Sequence, residues 1–182
     1  WRPGYYGPKN EREKAIRDEV NAVRNNVAII DVSTLGGLDV RGPDAAEFLN
    51  RIYVFTYNKL AVGKSRYVLM TDQAGVITDD GVACRFSDEH FYVTATTSGV
   101  DAVYRSMLQW NAQWRLDVEV ANVTAAYAGV NIAGPKSRQV LQRVCQDIDL
   151  SAEAFPYLGV REGTVAGIPA RLLLMQSNGG LA

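Results

Sequence analysis

Leu38-Asp-Val-Arg-Gly-Pro-Asp-Ala-Ala-Glu-Phe-Leu-Asn-Arg-Ile52 and Val130-Asn-Ile-Ala-Gly-Pro-Lys-Ser-Arg-Gln-Val-Leu-Gln-Arg-Val144 are the two stretches on which the fold turns. Gly42-Pro43 and Gly134-Pro135 lie 92 positions apart, and Leu49/Leu141 and Arg51/Arg143 keep that offset. Val40/Ile132 and Ile52/Val144 are similar pairs. Each copy reads as a strand, a Gly-Pro stop and a helix. Proline suits the first helical position, where its missing N–H has no partner to lose. Asp44 in the first turn complements the helix dipole. Two readings stand: helix-start chemistry reached twice, or duplication of a β-α-β-β unit. Duplication puts the second unit's hairpin at 158–189, against a chain of 182 residues. The second unit is therefore expected to be incomplete.

Outward from the repeat, the apolar periodicity defines the other elements. Glu11 to Asn25 carries apolar residues at Ala15/Ile16, Val20 and Val23, with charges between, and predicts a helix. Val27 to Val32 is a β-branched run and predicts a strand. Arg66 to Met70, Val76 to Phe86 and Phe91 to Thr97 predict three antiparallel strands, with turns at 71–75 and 87–89. Val100 to Trp114 predicts a helix with Val103, Met107, Leu108 and Trp110 or Trp114 inward. Strands are expected at 116–120 and 125–133 and a helix at 136–147. The fold class is α+β. The expected organisation is an N-terminal segment and helix at 1–26, a first unit at 27–120 and a second unit at 121–182.

Composition narrows the function classes. The chain is 47% hydrophobic and 21% charged, within the range of globular domains. Its 19 basic and 20 acidic residues give a net charge of -1, with no general basic bias toward nucleic acid. No apolar run approaches the roughly 20 residues of a membrane span. Residues 1–20 carry five basic and four acidic side chains, unlike a signal peptide. Cys84 and Cys145 make no disulfide framework, so a reducing cytoplasmic setting is expected.

Most chemical motifs fail on spacing. Gly129 to Gly134 has P-loop spacing, but Pro135 stands before Lys136-Ser137. Gly63-Lys64-Ser65 has Asn58 where the first glycine belongs. No G-x-G-x-x-G occurs, so no dinucleotide site is expected. His90 is the only histidine and the cysteines are far apart, which argues against a metal site. His90 is read as a surface residue beside a turn. Asp79-Asp80 remains, a carboxylate pair inside a strand pattern. Strand neighbours face opposite ways, so one of the two faces the interior or a cleft. Burying a carboxylate costs free energy unless it is hydrogen-bonded. A satisfied structural aspartate and a functional one both fit the pattern, as does a bulge at Gly81.

These motifs, taken in order, resemble one family. Asp31-Val-Ser-Thr-Leu35-Gly36, Val40-x-Gly42-Pro43-Asp44-Ala45, Arg66-Tyr67-x-x-Met70, Gly75-Val-Ile-x-Asp79-Asp80 and Gly134-Pro135-x-Ser137 are similar to the glycine cleavage T-protein family. Trp1-Arg-Pro-Gly-Tyr-Tyr6 and the DVSTLG form look most like the folate-binding part of its sarcosine oxidase α-subunit branch. The resemblance covers roughly 1–174. It implies an α+β fold of two related sheet-and-helix units. It also implies tetrahydrofolate as cofactor and an enzyme that moves a one-carbon unit from an amine-derived imine, giving 5,10-methylenetetrahydrofolate. The donor is sarcosine, dimethylglycine or a lipoyl-bound aminomethyl group. By the resemblance, Asp80 is the acid/base or orienting carboxylate at the pteridine, Tyr67 contacts folate and Leu35 lines the pocket. It implies other sarcosine oxidase subunits as partners, and no flavin or NAD site in this chain. Cys84 replaces a family tyrosine, and Ala95 falls near a family asparagine. Met175-Gln-Ser-Asn-Gly-Gly-Leu-Ala182 stands in place of a G-[YF]-x-G-E-x-G-[YF]-E segment. That departure predicts an incomplete pocket and an isolated chain without activity. The alternative is a non-catalytic binding or subunit-assembly module, with self-association.

Overall fold

The computed structural model describes residues 8–175. The opening aromatic segment 1–7 and the polar string 176–182 lie outside the described residues.

The repeat is structural as well as sequential. Helix α1 (Arg12–Asn25) leads to β1 (Ala28–Asp31), β2 (Gly36–Arg41) and α2 (Ala45–Ile52). Strands β3 (Lys64–Thr71), β4 (Ile77–Ser87) and β5 (His90–Ala95) form the predicted meander. Then the order recurs: α3 (Val100–Trp114), β6 (Glu119–Asn122), β7 (Val130–Ala133), α4 (Ser137–Val144), β8 (Val160–Val165) and β9 (Ile168–Leu173).

The two Gly-Pro turns make corresponding hydrogen bonds. The Asp44 N–H donates to the Asp117 carbonyl at 3.3 Å, and the Lys136 N–H to Asn26 at 3.0 Å. At the other end of each helix, Tyr53 N–H donates to Leu49 O and Cys145 N–H to Leu141 O. Gly42 and Gly134 have φ of 133° and 122°, a region that strongly favours glycine. A Cβ on either would stand 2.3 or 2.4 Å from the carbonyl of Asp117 or Asn26. Two independent demands therefore put glycine at both positions. Pro43 lies ahead of α2 rather than inside it. The Asp44 carboxylate accepts from the Asp117 N–H at 2.8 Å instead of capping its own helix.

Strand pairing crosses between the copies. Strand β6 pairs antiparallel with β2, Leu38 opposite Asn122. Reciprocally β1 pairs with β7, Ala28 opposite Ala133. The five-stranded sheet runs β3-β4-β5-β2-β6, with β1-β7 and β8-β9 as two-stranded sheets. The β8–β9 hairpin falls in the window that duplication predicted. It joins β3 through Ser65 N–H to Leu158 O and Val160 N–H to Gly63 O.

The main core lies under one face of the five-stranded sheet. Leu38, Val40, Val68, Ala83, Phe91 and Val93 face α2 and α3 and are fully buried. Phe48 and Leu49 of α2 and Met107 of α3 meet them, also fully buried. A smaller cluster of Cys145, Leu150, Phe155 and Leu172 supports α4 and the last hairpin. Three expectations differ. Leu108 is exposed, because Val100, Val103 and Met107 already fill the inner face of α3. The stripe on α1 is only partly covered by the described residues: Ala15 and Val23 are half-buried, but Ile16 and Val20 are each 46% exposed. His90 opens β5 with its side chain only 15% exposed, because it leans on a buried carboxylate.

Candidate functional site

Side chains alternate across β4, and the alternation separates the two aspartates. Asp79 points to the core side and is 7% exposed. Its Oδ1 accepts from the Thr96 N–H at 3.0 Å and the Asp80 N–H at 2.8 Å, and its Oδ2 from the Thr96 hydroxyl at 2.8 Å. Asp79 is a satisfied buried carboxylate. Asp80 points to the opposite face and is partly exposed.

On that face the register puts Tyr67 opposite Val82 and Leu69 opposite Asp80. Tyr67 and Asp80 are thus diagonal neighbours, within reach of a long side chain. The Tyr67 hydroxyl donates to Asp80 Oδ2, the one side-chain partner of that carboxylate among the described residues. This bond, then desolvation and the carboxylate charge, raises the Tyr67 phenol above its ordinary pKa. Tyr67 remains 48% exposed. Leu35, 47% exposed, sits in the turn before β2, its N–H donating to Val32 O. Gly36, next to it, pairs with Ala95 of β5, and β5 lies between β2 and β4. Leu35 and Asp80 therefore belong to strand ends two strand spacings apart, about 10 Å. Structure thus brings Tyr67 and Asp80 into contact and sets Leu35 at the same end of the sheet.

Gly81 makes this geometry possible. A Cβ there would lie 2.0 Å from the Thr94 carbonyl, so β4 and β5 press together beside Asp80. Val82 N–H donates to the Thr94 hydroxyl at 2.9 Å. Cys84 lies further along the same strand. It is fully buried opposite Tyr92, and burial pushes its thiol up to about 12. Ala95 faces the core at 2% exposure. A groove of 630 Å³ opens on the core side, between the β3–β4 turn and α3, with Asp79, Ser106 and Trp110 in its wall. Asp80, Tyr67 and Leu35 are not among its lining residues.

Sequence reading missed a second polar centre further along the same face. Asp39, 6% exposed, takes Arg171 Nη1 at 3.1 Å on Oδ1 and Arg41 Nη2 at 3.1 Å on Oδ2. His90 Nε2 lies 3.3 Å from Oδ1. Burial opposes ionisation of Asp39, but Arg171 and Arg41, with His90 beside them, outweigh it and hold the carboxyl below its usual range. The Arg171 guanidinium stands over the rings of Phe86, Tyr92 and Tyr127 at 4.7, 5.4 and 4.8 Å. The available signal was the charge between Leu38 and Val40 in an otherwise apolar strand.

Among the described residues, no group of three His, Cys, Asp or Glu side chains is arranged to hold a metal, and no helix is long and apolar enough to cross a membrane.

The fold is shared with known proteins of one family. Residues 1–178 match the model of the GCVT N-terminal domain, and the chain belongs to that family. It is 40% identical over 185 residues to the sarcosine oxidase α subunit of Corynebacterium sp. strain U-96, covering 100% of this chain and 19% of that protein. The chain thus spans about a fifth of the length of that relative. The glycine cleavage system aminomethyltransferase T of Bartonella henselae shares the fold at a TM-score of 0.71, with 21% identity over 81% of this chain and 38% of that one. Heterotetrameric sarcosine oxidase from Corynebacterium sp. U-96, in complex with pyrrole 2-carboxylate, aligns at 0.64, with 18% identity over 93% of this chain and 82% of that one.

Proposed function

We propose that the end of the five-stranded sheet carrying Asp80, Tyr67 and Leu35 binds tetrahydrofolate. The chain then acts as the folate domain of a sarcosine oxidase-type enzyme. The observation that carries it is the Tyr67–Asp80 pair. Asp80 spends one of its acceptor positions on Tyr67, and a carboxylate offers about four. The others stand at a partly exposed surface beside an aromatic ring and a leucine, a setting that fits a flat, apolar-faced ring with N–H edges. When bound, tetrahydrofolate supplies two amine nitrogens that together take up a carbon at the formaldehyde level.

Within this site Asp80 accepts a hydrogen bond from a folate N–H, orients that nitrogen and receives its proton. Its negative charge stabilises a cationic carbon carrier nearby. Tyr67 holds the carboxylate in place and offers its ring to the pteridine. Leu35 closes the apolar side. The product is 5,10-methylenetetrahydrofolate, and the partners are the other subunits of a heterotetrameric enzyme. In the full protein, Asp80→Asn lowers methylenetetrahydrofolate formation by about 100-fold or more, as loss of general acid–base catalysis does, while the thermal midpoint holds. Undiminished transfer overturns the role of Asp80.

A second reading has its own observation. Ile29 and Val130 are 70% and 53% exposed on one face of the two-stranded β1–β7 sheet, and Ile30 is 60% exposed on the other, as an assembly element with exposed apolar faces requires. A clean monomer on a sizing column that also binds folate argues against it.

A further inference from the structure

Asp79 is tied to the start of α3 as well as to its own strand. The Thr96 N–H and hydroxyl both donate to its carboxylate. Thr96 then organises the first turn of α3: its carbonyl accepts from the N–H groups of Gly99 and Val100, and its hydroxyl accepts from Gly99 at 3.1 Å. The fit admits no larger residue. A Cβ on Gly99 would stand 1.7 Å from Asp79 Oδ2, and a Cβ on Gly36 would stand 2.4 Å from Val100 Cβ. The helix start is therefore wedged between β4 at Asp79 and β2 at Gly36. Asp80 follows the first contact in sequence, and Leu35 precedes the second. The same Asp79 Oδ1 also accepts from the Asp80 N–H.

We infer that Asp79 is a positioning residue: by locking β4 to Thr96 and the first turn of α3, its carboxylate sets where Asp80 stands relative to Tyr67 and Leu35. The chemistry is that of a carboxylate collecting donors. Two backbone N–H groups converge on Oδ1 and the Thr96 hydroxyl on Oδ2; an isosteric amide keeps the first oxygen but puts an NH2 donor against the Thr96 hydroxyl, which loses its acceptor. A buried group whose partner is removed loses its hydrogen bond and retains its desolvation cost. With the tie between Oδ2 and the Thr96 hydroxyl broken, β4 is free to shift against the start of α3, and Asp80, held to the same carboxylate through Oδ1, shifts with it. The inference rests on the folate reading for its ligand readout alone.

The test uses the 182-residue chain with tyrosine labelled at the ring carbon bearing oxygen, so that NMR follows each phenol's ionisation. Tyr67→Phe identifies the Tyr67 signal. Asp79→Asn is expected to bring the Tyr67 midpoint down toward the ordinary tyrosine value of about 10, because the phenol loses its carboxylate partner. Thr96→Val does the same, and Thr96→Ser retains the wild-type midpoint. Should Asp79→Asn not fold, the Thr96 pair decides. An unmoved Tyr67 midpoint in a folded Asp79→Asn or Thr96→Val chain overturns the inference, whatever happens to the thermal midpoint, since a stability role alone leaves that pair intact. Titration with 5-formyltetrahydrofolate is expected to weaken on the order of tenfold in Asp79→Asn. If the wild-type chain binds no folate, the folate reading fails, and the Tyr67 midpoint still decides the role of Asp79.

Discussion

A carboxylate in a protein interior is stable only when donors surround it, and Asp79 meets that condition while Asp80 stays open to solvent. Their division was legible in the sequence, because strand alternation forces two adjacent aspartates onto opposite faces. Which one turned inward was not legible, since that depends on Thr96 arriving from β5. Asp39 was illegible for the same reason: its partner Arg171 is 132 positions away and reaches it only through the topology. His90 was misread because nothing in its neighbourhood announces that contact. Cys84 gives a prediction at this scale. Burial pushes its thiol up to about 12, and desolvation also raises Cys145. Alkylation needs the thiolate, which is scarce at pH 8 for such groups. Iodoacetamide at pH 8 should leave both cysteines unlabelled in the folded chain and label both in denaturant. Rapid labelling of the native chain, read by mass spectrometry, would show that Cys84 is not held as described.

Elements with strong period were readable, and their cover was not. Helices α2 and α4 share a Gly-Pro start and an eight-residue length. Yet α2 buries Ala45, Ala46, Phe48 and Leu49, and α4 buries none of its side chains to that extent. The sequence difference is small, Phe48 against Val140 and Ala46 against Arg138, but the surroundings differ greatly: α2 lies under five strands and α4 beside a two-stranded hairpin. Leu49→Ala should therefore cost about 2–5 kcal/mol, the usual range for a fully buried leucine, and Leu141→Ala clearly less. Urea unfolding of the two variants checks this, and equal losses would mean that the two helices are equally packed. At the start of α3, Gly99→Ala should destabilise by about 1–3 kcal/mol, because the added methyl lands on Asp79 in a site with no slack. The exchange of β1 and β6 between the copies escaped the sequence reading altogether. Each is a four-residue strand whose partner is fixed by assembly rather than by its own pattern.

At the scale of the whole molecule, the Asp39–Arg171 ion pair adds to the backbone hydrogen bonds that join the last hairpin to the main sheet. Asp39 belongs to β2 and Arg171 to β9, and both side chains are largely buried. Arg171→Ala leaves the buried Asp39 with Arg41 and His90 beside it, so it should cost about 1–3 kcal/mol, less than the loss for a buried charge left with no partner. Its pH dependence follows from the lowered pKa of Asp39. The folded pKa lies below the unfolded value of about 3.9, so the stabilisation is complete above that value. It is lost as pH falls through the folded pKa. Thermal midpoints should drop over that acidic range in wild type and drop less in Asp39→Asn; identical slopes would contradict the pair's contribution. At the same scale, the sheet end that carries Asp80 and Tyr67 is proposed to bind folate. Calorimetric titration of the chain with 5-formyltetrahydrofolate tests it most directly. Binding at micromolar strength, about -8 kcal/mol, lost or sharply weakened in Asp80→Ala and Tyr67→Ala, is the expected result. No heat from a folded wild-type sample, or the same heat from the folded Asp80→Ala variant, would contradict it.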